Sequence, residues 1–370
     1  MISPSFFCKE MERIGVGFYS GVPDSLLKNL CAYISDTFPP KDNIIAVNEG
    51  CAIGLATGYH LATGKIPAVY MKNSGMGNST NPLLSLTDPE VYRIPLVLII
   101  GWRGEPGVHD EPQHVKQGKV TCSLLDTMGI PYVVMSDNEK EFKVQADLCG
   151  EHLKNNGSPF AFVVRKNTFS KYELPQSSDG NKMSREQAIE IISERMGDSI
   201  FVSTTGMASR ELYEIRDRRG QGHGSDFLTV GCMGHASQIA LGIALNTDRR
   251  IVCIDGDGAA LMHMGGMATI AVHSPKNYTH IIINNGAHDS VGGQPTISRD
   301  IDVKGIAESM GYRKVYSVSD EGSLGAALSD KEGPVLIEVM VHKGARADLG
   351  RPKSTPVENK EALMRTIRGE

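Results

Sequence analysis

An aspartate and an asparagine in the second half of the chain carry the strongest chemical signal. The segment RIVCIDGDGAALMHMGGMATIAVHSPKNYTHIIINNGAHDS reads as strand, glycine turn, helix, strand and asparagine turn. Asp257 and Asn285 then fall at the carboxyl ends of two strands, where open α/β sheets bind their ligands. Gly256 and Gly258 permit a sharp turn, after which a helix start offers free N–H groups to a phosphate. One carboxylate, one amide oxygen, one backbone carbonyl and two phosphate oxygens make the oxygen-only shell that suits Mg²⁺. The competing reading is a glycine turn and an asparagine turn in an α/β domain that holds no metal. A dinucleotide site is disfavoured, because no G-x-G-x-x-G turn is followed by an acid about 20 residues on.

Other reactive side chains cluster in short motifs. Glu49 in VNEGCAIGLATGYHLATGK follows a strand and opens a helix of small residues, where a carboxylate also simply complements the helix dipole. Asp24 in GVPDS is either a proton donor or a helix N-cap. His109 and His114 in GVHDEPQH are candidate acid–base groups, as is His288 after the asparagine turn. Lys72 beside Asn73-Ser74-Gly75, together with Arg346 and Arg351 in GARADLGR, are candidate anion donors or solvated surface charges.

Short apolar runs alternating with amphipathic stretches predict parallel sheets covered by helices, hence an α/β chain. In the first half the expected strands are 17–20, 44–47, 68–71, 96–100, 132–135 and 160–164. In the second they are 200–203, 227–230, 251–254, 279–283, 314–318 and 335–341. YELPQSSDGNKMS at 172–184 has Pro175, Gly180 and no apolar period, as a linker does. Domains over 1–175 and 185–345 follow. A tail over 346–370 is expected to be either a mobile end or a cover for a site, with a short helix near 360–367.

Composition removes several classes. With 370 residues, 40% hydrophobic and 22% charged, the chain can bury two full cores, and neither disorder nor a collagen-like repeat fits. A net charge of -5 gives no electrostatic argument for nucleic acid or for a membrane surface. Seven scattered cysteines without a C-x-x-C pair indicate neither a zinc site nor a disulfide framework. MISPSFFCKEMERIGV lacks the pattern of a signal peptide, and no apolar run reaches about 18 residues. A cytoplasmic protein is the expectation.

The GDG turn, twenty-five further residues and Asn284-Asn285 together resemble the motif of the thiamine-diphosphate-dependent decarboxylases. The resemblance implies two doubly wound parallel-sheet domains, one binding the cofactor's pyrimidine and one its diphosphate, with no middle domain. It implies Asp257, Asn285 and the Ala287 carbonyl as Mg²⁺ ligands, and Glu49 as the acid that protonates the aminopyrimidine ring. Met233 in GCMGHASQIALGIA takes the position of a bulky apolar residue that bends the cofactor, though a methionine is more often a core filler. Thr204, Thr205, Gly206, Gly231, Gly256, Gly258, Ala259 and His288 are the remaining candidates for cofactor contact. Family members usually build the site from two subunits, so a homo-oligomer is expected.

Within that family, FYSGVPDSLLK, YMKNSGMGNSTNPLLSL, RGEPGVHDEPQH and NNGAHDSVGGQPT are similar to the short two-domain enzymes of phosphonate and sulfonate metabolism. The implied reaction is decarboxylation of 3-phosphonopyruvate to phosphonoacetaldehyde and CO₂, in phosphonate biosynthesis. Sulfopyruvate decarboxylation is the alternative, and a noncatalytic thiamine-diphosphate-binding protein is a further one. Asp24, His109 and His114 are then the acid candidates, and Ser25, Lys72, Asn73, Ser74, Arg346 and Arg351 the substrate candidates.

Overall fold

The computed structural model describes residues 1–174, 180 and 183–370. It divides into two units, Met1–Gln176 and Ser177–Glu370. Most of the linker predicted over 172–184 lies outside the described residues.

The first unit is a six-stranded sheet made of β1 (Val16–Gly21), β2 (Asn43–Ile45), β3 (Ile66–Lys72), β4 (Val97–Gly101), β5 (Tyr132–Val134) and β6 (Phe160–Val164). Its order is β2-β1-β3-β4-β6-β5, every pair parallel. β4 and β6 are buried at every residue, which is why they appear in the sequence as unbroken apolar runs: helices cover both faces. Burying each such Val, Leu, Ile or Phe side chain contributes about 1.5–3 kcal/mol. Chain order reverses between β1 and β3, and a crevice at such a switch point is where doubly wound sheets take ligands.

The helix Glu49–Thr63 follows β2 and packs on β1 and β3. Asn48 caps its start by accepting the Cys51 N–H at 2.8 Å, and Gly64 ends it in the left-handed region at φ 68°. Its buried residues, Glu49, Ala52, Ile53, Ala56 and Thr57, recur at the spacing of one helical face. Small side chains on that face let the helix lie close to the sheet and bring Glu49 inside with it.

The second unit repeats the plan with β7 (Ile200–Ser203), β8 (Asp226–Leu228), β9 (Ile251–Gly256), β10 (Tyr278–Asn284), β11 (Lys314–Val318) and β12 (Val335–Met340). Its order is β11-β12-β10-β9-β7-β8, again parallel throughout. The parallel α/β architecture with no middle domain is as expected, with strand ends shifted by at most two residues from the sequence reading.

The tail departs from the picture of a mobile end. Its helix spans Pro356–Arg368, four residues earlier than predicted, because Thr355 and Glu358 form a capping box and Pro356 occupies the first helical turn. Asn359 is buried, accepting from Leu228 N at 3.1 Å and donating to Asp226 O at 2.7 Å, so its amide satisfies the outer edge of β8. Leu363 joins the core of this unit. No described helix is long and apolar enough to cross a membrane.

Candidate cofactor site

In the first unit the carboxyl ends of β1, β3 and β4 gather charged groups. Asp24, three residues past β1, is fully buried. Its Oδ2 accepts the Leu26 N–H at 2.8 Å, while Oδ1 makes no hydrogen bond and lies 3.8 Å from Lys72 Nζ at the end of β3. The next helix begins at Lys28 with Leu27 at its N-cap, so Asp24 is not that helix's cap. Asn73 donates to the Arg103 carbonyl at 2.8 Å and to Thr121 Oγ1 at 2.9 Å, leaving its own buried Oδ1 without a partner.

Arg103, just past β4, organises this group. Its Nη1 reaches Ser25 Oγ at 2.7 Å, and its fork grips Asp110 through Nε at 2.7 Å and through Nη2. Burial acts to raise the Asp110 carboxyl pKa, but the Arg103 hydrogen bonds and the Glu111 and Gly104 N–H groups outweigh it. They hold the group well below the usual carboxylate range. His114 is buried, with Nδ1 unpartnered; burial, then the positive charges of Arg103 and Lys72, push its pKa down to about 4. It is therefore neutral at pH 7. His109 is exposed and makes no hydrogen bond or ion pair with these groups, and Ser74 is exposed on its turn. Neither Arg103 nor Asp110 was singled out from the sequence. Both stand in the quoted RGEPGVHDEPQH, where the arginine two residues past a strand was the available signal.

Glu49 is buried at the first position of its helix, and Asn78 Nδ2 donates to its Oε2 at 2.8 Å. Gly75 makes room for it. A Cβ at residue 75 would stand 2.3 Å from Glu49 Oε1 and 2.6 Å from Cδ and Cγ, so the backbone of the Asn73–Gly75 turn can approach the carboxylate only as glycine.

The second unit presents a different chemistry at its strand ends. Asp257 follows β9 directly, is 4% exposed, and accepts on Oδ2 from Ser298 Oγ at 2.7 Å and from Thr296 Oγ1. On the neighbouring strand Asn285 follows β10, also buried; its Nδ2 donates to Asp289 at 2.7 Å and its Oδ1 accepts from Ala287 N at 3.0 Å. Thr204, after β7, is buried with Oγ1 unpartnered. Thr205 Oγ1 accepts the Gly231 N–H at 3.1 Å, and Gly206 turns the chain at φ 100° into the helix Met207–Arg218.

Gly258, Met233 and His288 meet. A Cβ on Gly258 would lie 2.9 Å from His288 Cε1 and 3.5 Å from Met233 Cε. Ala259 continues the buried helix Asp257–Met262 behind them. Burial lowers the His288 pKa, against the opposing charges of Asp257 and Asp289.

These residues fit a diphosphate held through a hard cation. Asp257, Asn285 and Ala287 offer oxygen donors of three kinds on adjacent strand ends, a buried hydroxyl at Thr204 has nothing to bond, and the glycine at 258 lets His288 and Met233 close on the turn.

Arg346 and Arg351 lie in the second unit, on the stretch beyond β12. Arg346 is held by Glu186, with Nε at 3.0 Å from Oε2, and by Glu214, while Arg351 is exposed on the same stretch. The tail's guanidinium is thus engaged within the second unit, where acidic residues on the helices Arg185–Arg195 and Met207–Arg218 compete for it.

Comparison with known proteins assigns both halves. Residues 5–127 match the thiamine pyrophosphate enzyme N-terminal TPP binding domain, and residues 204–339 match the C-terminal TPP binding domain of the same enzymes. Over 97% of the chain it is 36% identical to a phosphonopyruvate decarboxylase of Streptomyces viridochromogenes, covering 93% of that protein. It is 37% identical to one of Streptomyces hygroscopicus, covering 97% of this chain and 92% of the relative. A sulfopyruvate decarboxylase of Methanosarcina acetivorans is 29% identical over 85% of this chain and 84% of its own length. The chain belongs to the phosphonopyruvate decarboxylase family of thiamine pyrophosphate enzymes.

Proposed function

We infer that this protein is a carboxy-lyase that decarboxylates 3-phosphonopyruvate to phosphonoacetaldehyde and CO₂, using thiamine diphosphate held through Mg²⁺. The observation that carries this reading is likeness to two phosphonopyruvate decarboxylases along nearly the whole chain, above the likeness to a sulfopyruvate decarboxylase. When bound, thiamine diphosphate supplies the electron sink that the loss of CO₂ requires. The chain's own residues do the rest.

Asp257, Asn285 and the Ala287 carbonyl hold the cation, and Thr204 and the loop through Thr205 and Gly206 receive the diphosphate. Met233, packed beside Gly258, supports the cofactor from its apolar side. Glu49, kept in place by Asn78, holds a proton at the aminopyrimidine ring nitrogen. Asp24, buried beside Lys72, is the candidate to pass a proton to the product carbon, and His114, neutral and with Nδ1 unpartnered, is a hydrogen-bonding group beside it rather than the acid. Lys72 and Ser25, with Arg103 behind them, supply donors for a substrate bearing a carboxylate and a phosphonate, while Asn73, its amide N–H groups held by the Arg103 carbonyl and Thr121, keeps that turn in place. The family resemblance further supports a homo-oligomer, which sedimentation of the purified protein tests, and the scattered cysteines without a disulfide framework support a cytoplasmic protein.

The deciding experiment measures CO₂ release from phosphonopyruvate, sulfopyruvate and pyruvate side by side, with thiamine diphosphate and Mg²⁺ present. Preference for phosphonopyruvate is expected. Preference for sulfopyruvate replaces the substrate, and cofactor binding with no CO₂ from any of the three removes the enzyme.

A further inference from the structure

One carboxylate oxygen of Asp289 collects donors from three places in the second unit. Asn285 Nδ2 reaches Oδ2 at 2.7 Å, Arg185 Nη1 at 3.0 Å, and the Gly344 backbone N–H, beyond the end of β12, at 3.0 Å. Arg185 is itself locked: its Nε and Nη2 bind Glu211 at 2.7 and 3.0 Å, and Nη2 also donates to the Gly344 carbonyl at 3.3 Å. The side chains of Arg185, Glu211 and Asp289 are 7%, 1% and 12% exposed. One guanidinium and two carboxylates leave this buried group with one negative charge in excess, beside the candidate cation ligand.

The amide of an asparagine has two ends of one shape and opposite chemistry. With Nδ2 held by a carboxylate, which only accepts, and Oδ1 held by the Ala287 N–H at 3.0 Å, a flipped amide would set oxygen against oxygen and N–H against N–H. The Asn285 oxygen is therefore aimed before any ligand arrives. We propose that Asp289 is the positioning residue that fixes Asn285 as a cation ligand and, through the same oxygen, ties the segment Lys343–Gly350 to the state of the cation site. The far end of that segment is fastened independently, by Arg346 on Glu186 and Glu214 and by Gly350 N on Glu214 at 2.6 Å.

The inference rests on Asn285 as a cation ligand, and its test reads binding and backbone exchange rather than turnover. Calorimetry of thiamine diphosphate binding against Mg²⁺ or Mn²⁺ concentration, on the full chain, should show the apparent cation affinity of Asp289→Ala weakened roughly 10–100-fold, the usual scale for groups that orient a metal ligand. Asp289→Asn, which keeps an acceptor but loses the charge, should fall between that variant and wild type, and serves if the alanine variant does not fold. In wild type, adding cation and cofactor should slow hydrogen exchange at the Gly344 amide, and in Asp289→Ala that response should vanish. Glu214→Gln, which loosens only the outer anchor, should speed exchange around residues 346–350 and leave cation affinity unchanged. Wild-type affinity in folded Asp289→Ala overturns the proposal, as does a Gly344 amide indifferent to cation in wild type, or a Glu214→Gln variant as impaired as Asp289→Ala. Wild-type cofactor binding that needs no divalent cation is a separately visible result, and it removes the ligand assignment together with the proposal.

Discussion

The two units are the same sheet used twice with different residues at its rim. Counting β7 to β12 as first to sixth, the second sheet runs 5-6-4-3-1-2, which read from its other edge is the 2-1-3-4-6-5 order of the first. In the first unit the strand ends carry the ionisable groups Asp24, Glu49, Lys72 and Arg103, of which Asp24 and Glu49 are buried and Asp24 keeps one oxygen without a hydrogen bond. The second carries Thr204, Gly231, Asp257 and Asn285, which offer hydroxyl, backbone and hard oxygen donors. Topology decides where a ligand meets the chain, and residue type at those ends decides whether protons are moved or an anion and its cation are held.

The sharpest way to break this contrast is a pair of substitutions, one per unit. Asp257→Ala removes the only carboxylate among the three proposed cation ligands, and cation-dependent cofactor binding should collapse beyond detection by calorimetry. Glu49→Gln should leave that binding nearly intact yet slow deuterium exchange at the reactive carbon of bound cofactor by about 10²–10⁴-fold. Equal losses of binding in both variants would erase the division of labour.

A smaller effect is expected from Gly75→Ala. The added methyl must displace the Glu49 carboxylate or the turn, at a cost of about 1–3 kcal/mol in stability by chemical denaturation. Exchange at the cofactor carbon should slow with it. Gly77→Ala, two residues on and with open space around it, is the control.

Part of the pH dependence of stability follows from His114. Its folded pKa of about 4 lies below its ordinary value of 6.5, so between the two the unfolded chain binds the extra proton. Its contribution is complete above pH 6.5 and is lost as pH falls toward 4. Denaturant titrations across that window should show a slope that flattens in His114→Gln, and an unchanged slope would mean the imidazole is not held neutral.

Arg346→Ala should have the smallest effect: about 1 kcal/mol of stability or less, since the ion pairs it loses are part-exposed. Its kcat/KM ratio for phosphonopyruvate over pyruvate should stay near that of wild type. A selective loss on phosphonopyruvate would return the tail to the role of reading the phosphonate and weaken the assignment of that role to the first unit.

Much of this was legible in the chain. β4, β6, β9 and β10 are buried on both faces, so an unbroken apolar run declares each of them, and the Asp257 and Asn285 turns could be placed at strand ends from their glycines and amides alone. Short edge strands such as β2 and β5 were legible only approximately, because half-buried residues leave a weak pattern. Arg103, Asp110, Asn78 and Asp289 all stand inside the RGEPGVHDEPQH, YMKNSGMGNSTNPLLSL and NNGAHDSVGGQPT motifs, where nothing local marks them. Their importance comes from what they touch, and a charged residue in a loop looks the same whether it grips Asp110 or faces solvent.

Local pattern, then, determined the strands of the described residues, the two-sheet plan and the residue types at the strand ends, since backbone preference and hydrophobic period act over a few neighbours. Tertiary structure alone decided the pairings. It set Arg103 against Asp110 and Ser25, opened the Gly75 space to Glu49, turned the Asn285 amide with Asp289, and gave Arg346 the partners Glu186 and Glu214. Partners such as Arg185 and Asp289 are 104 residues apart in sequence, and their contact is worth making only where burial has removed the water that would otherwise satisfy them.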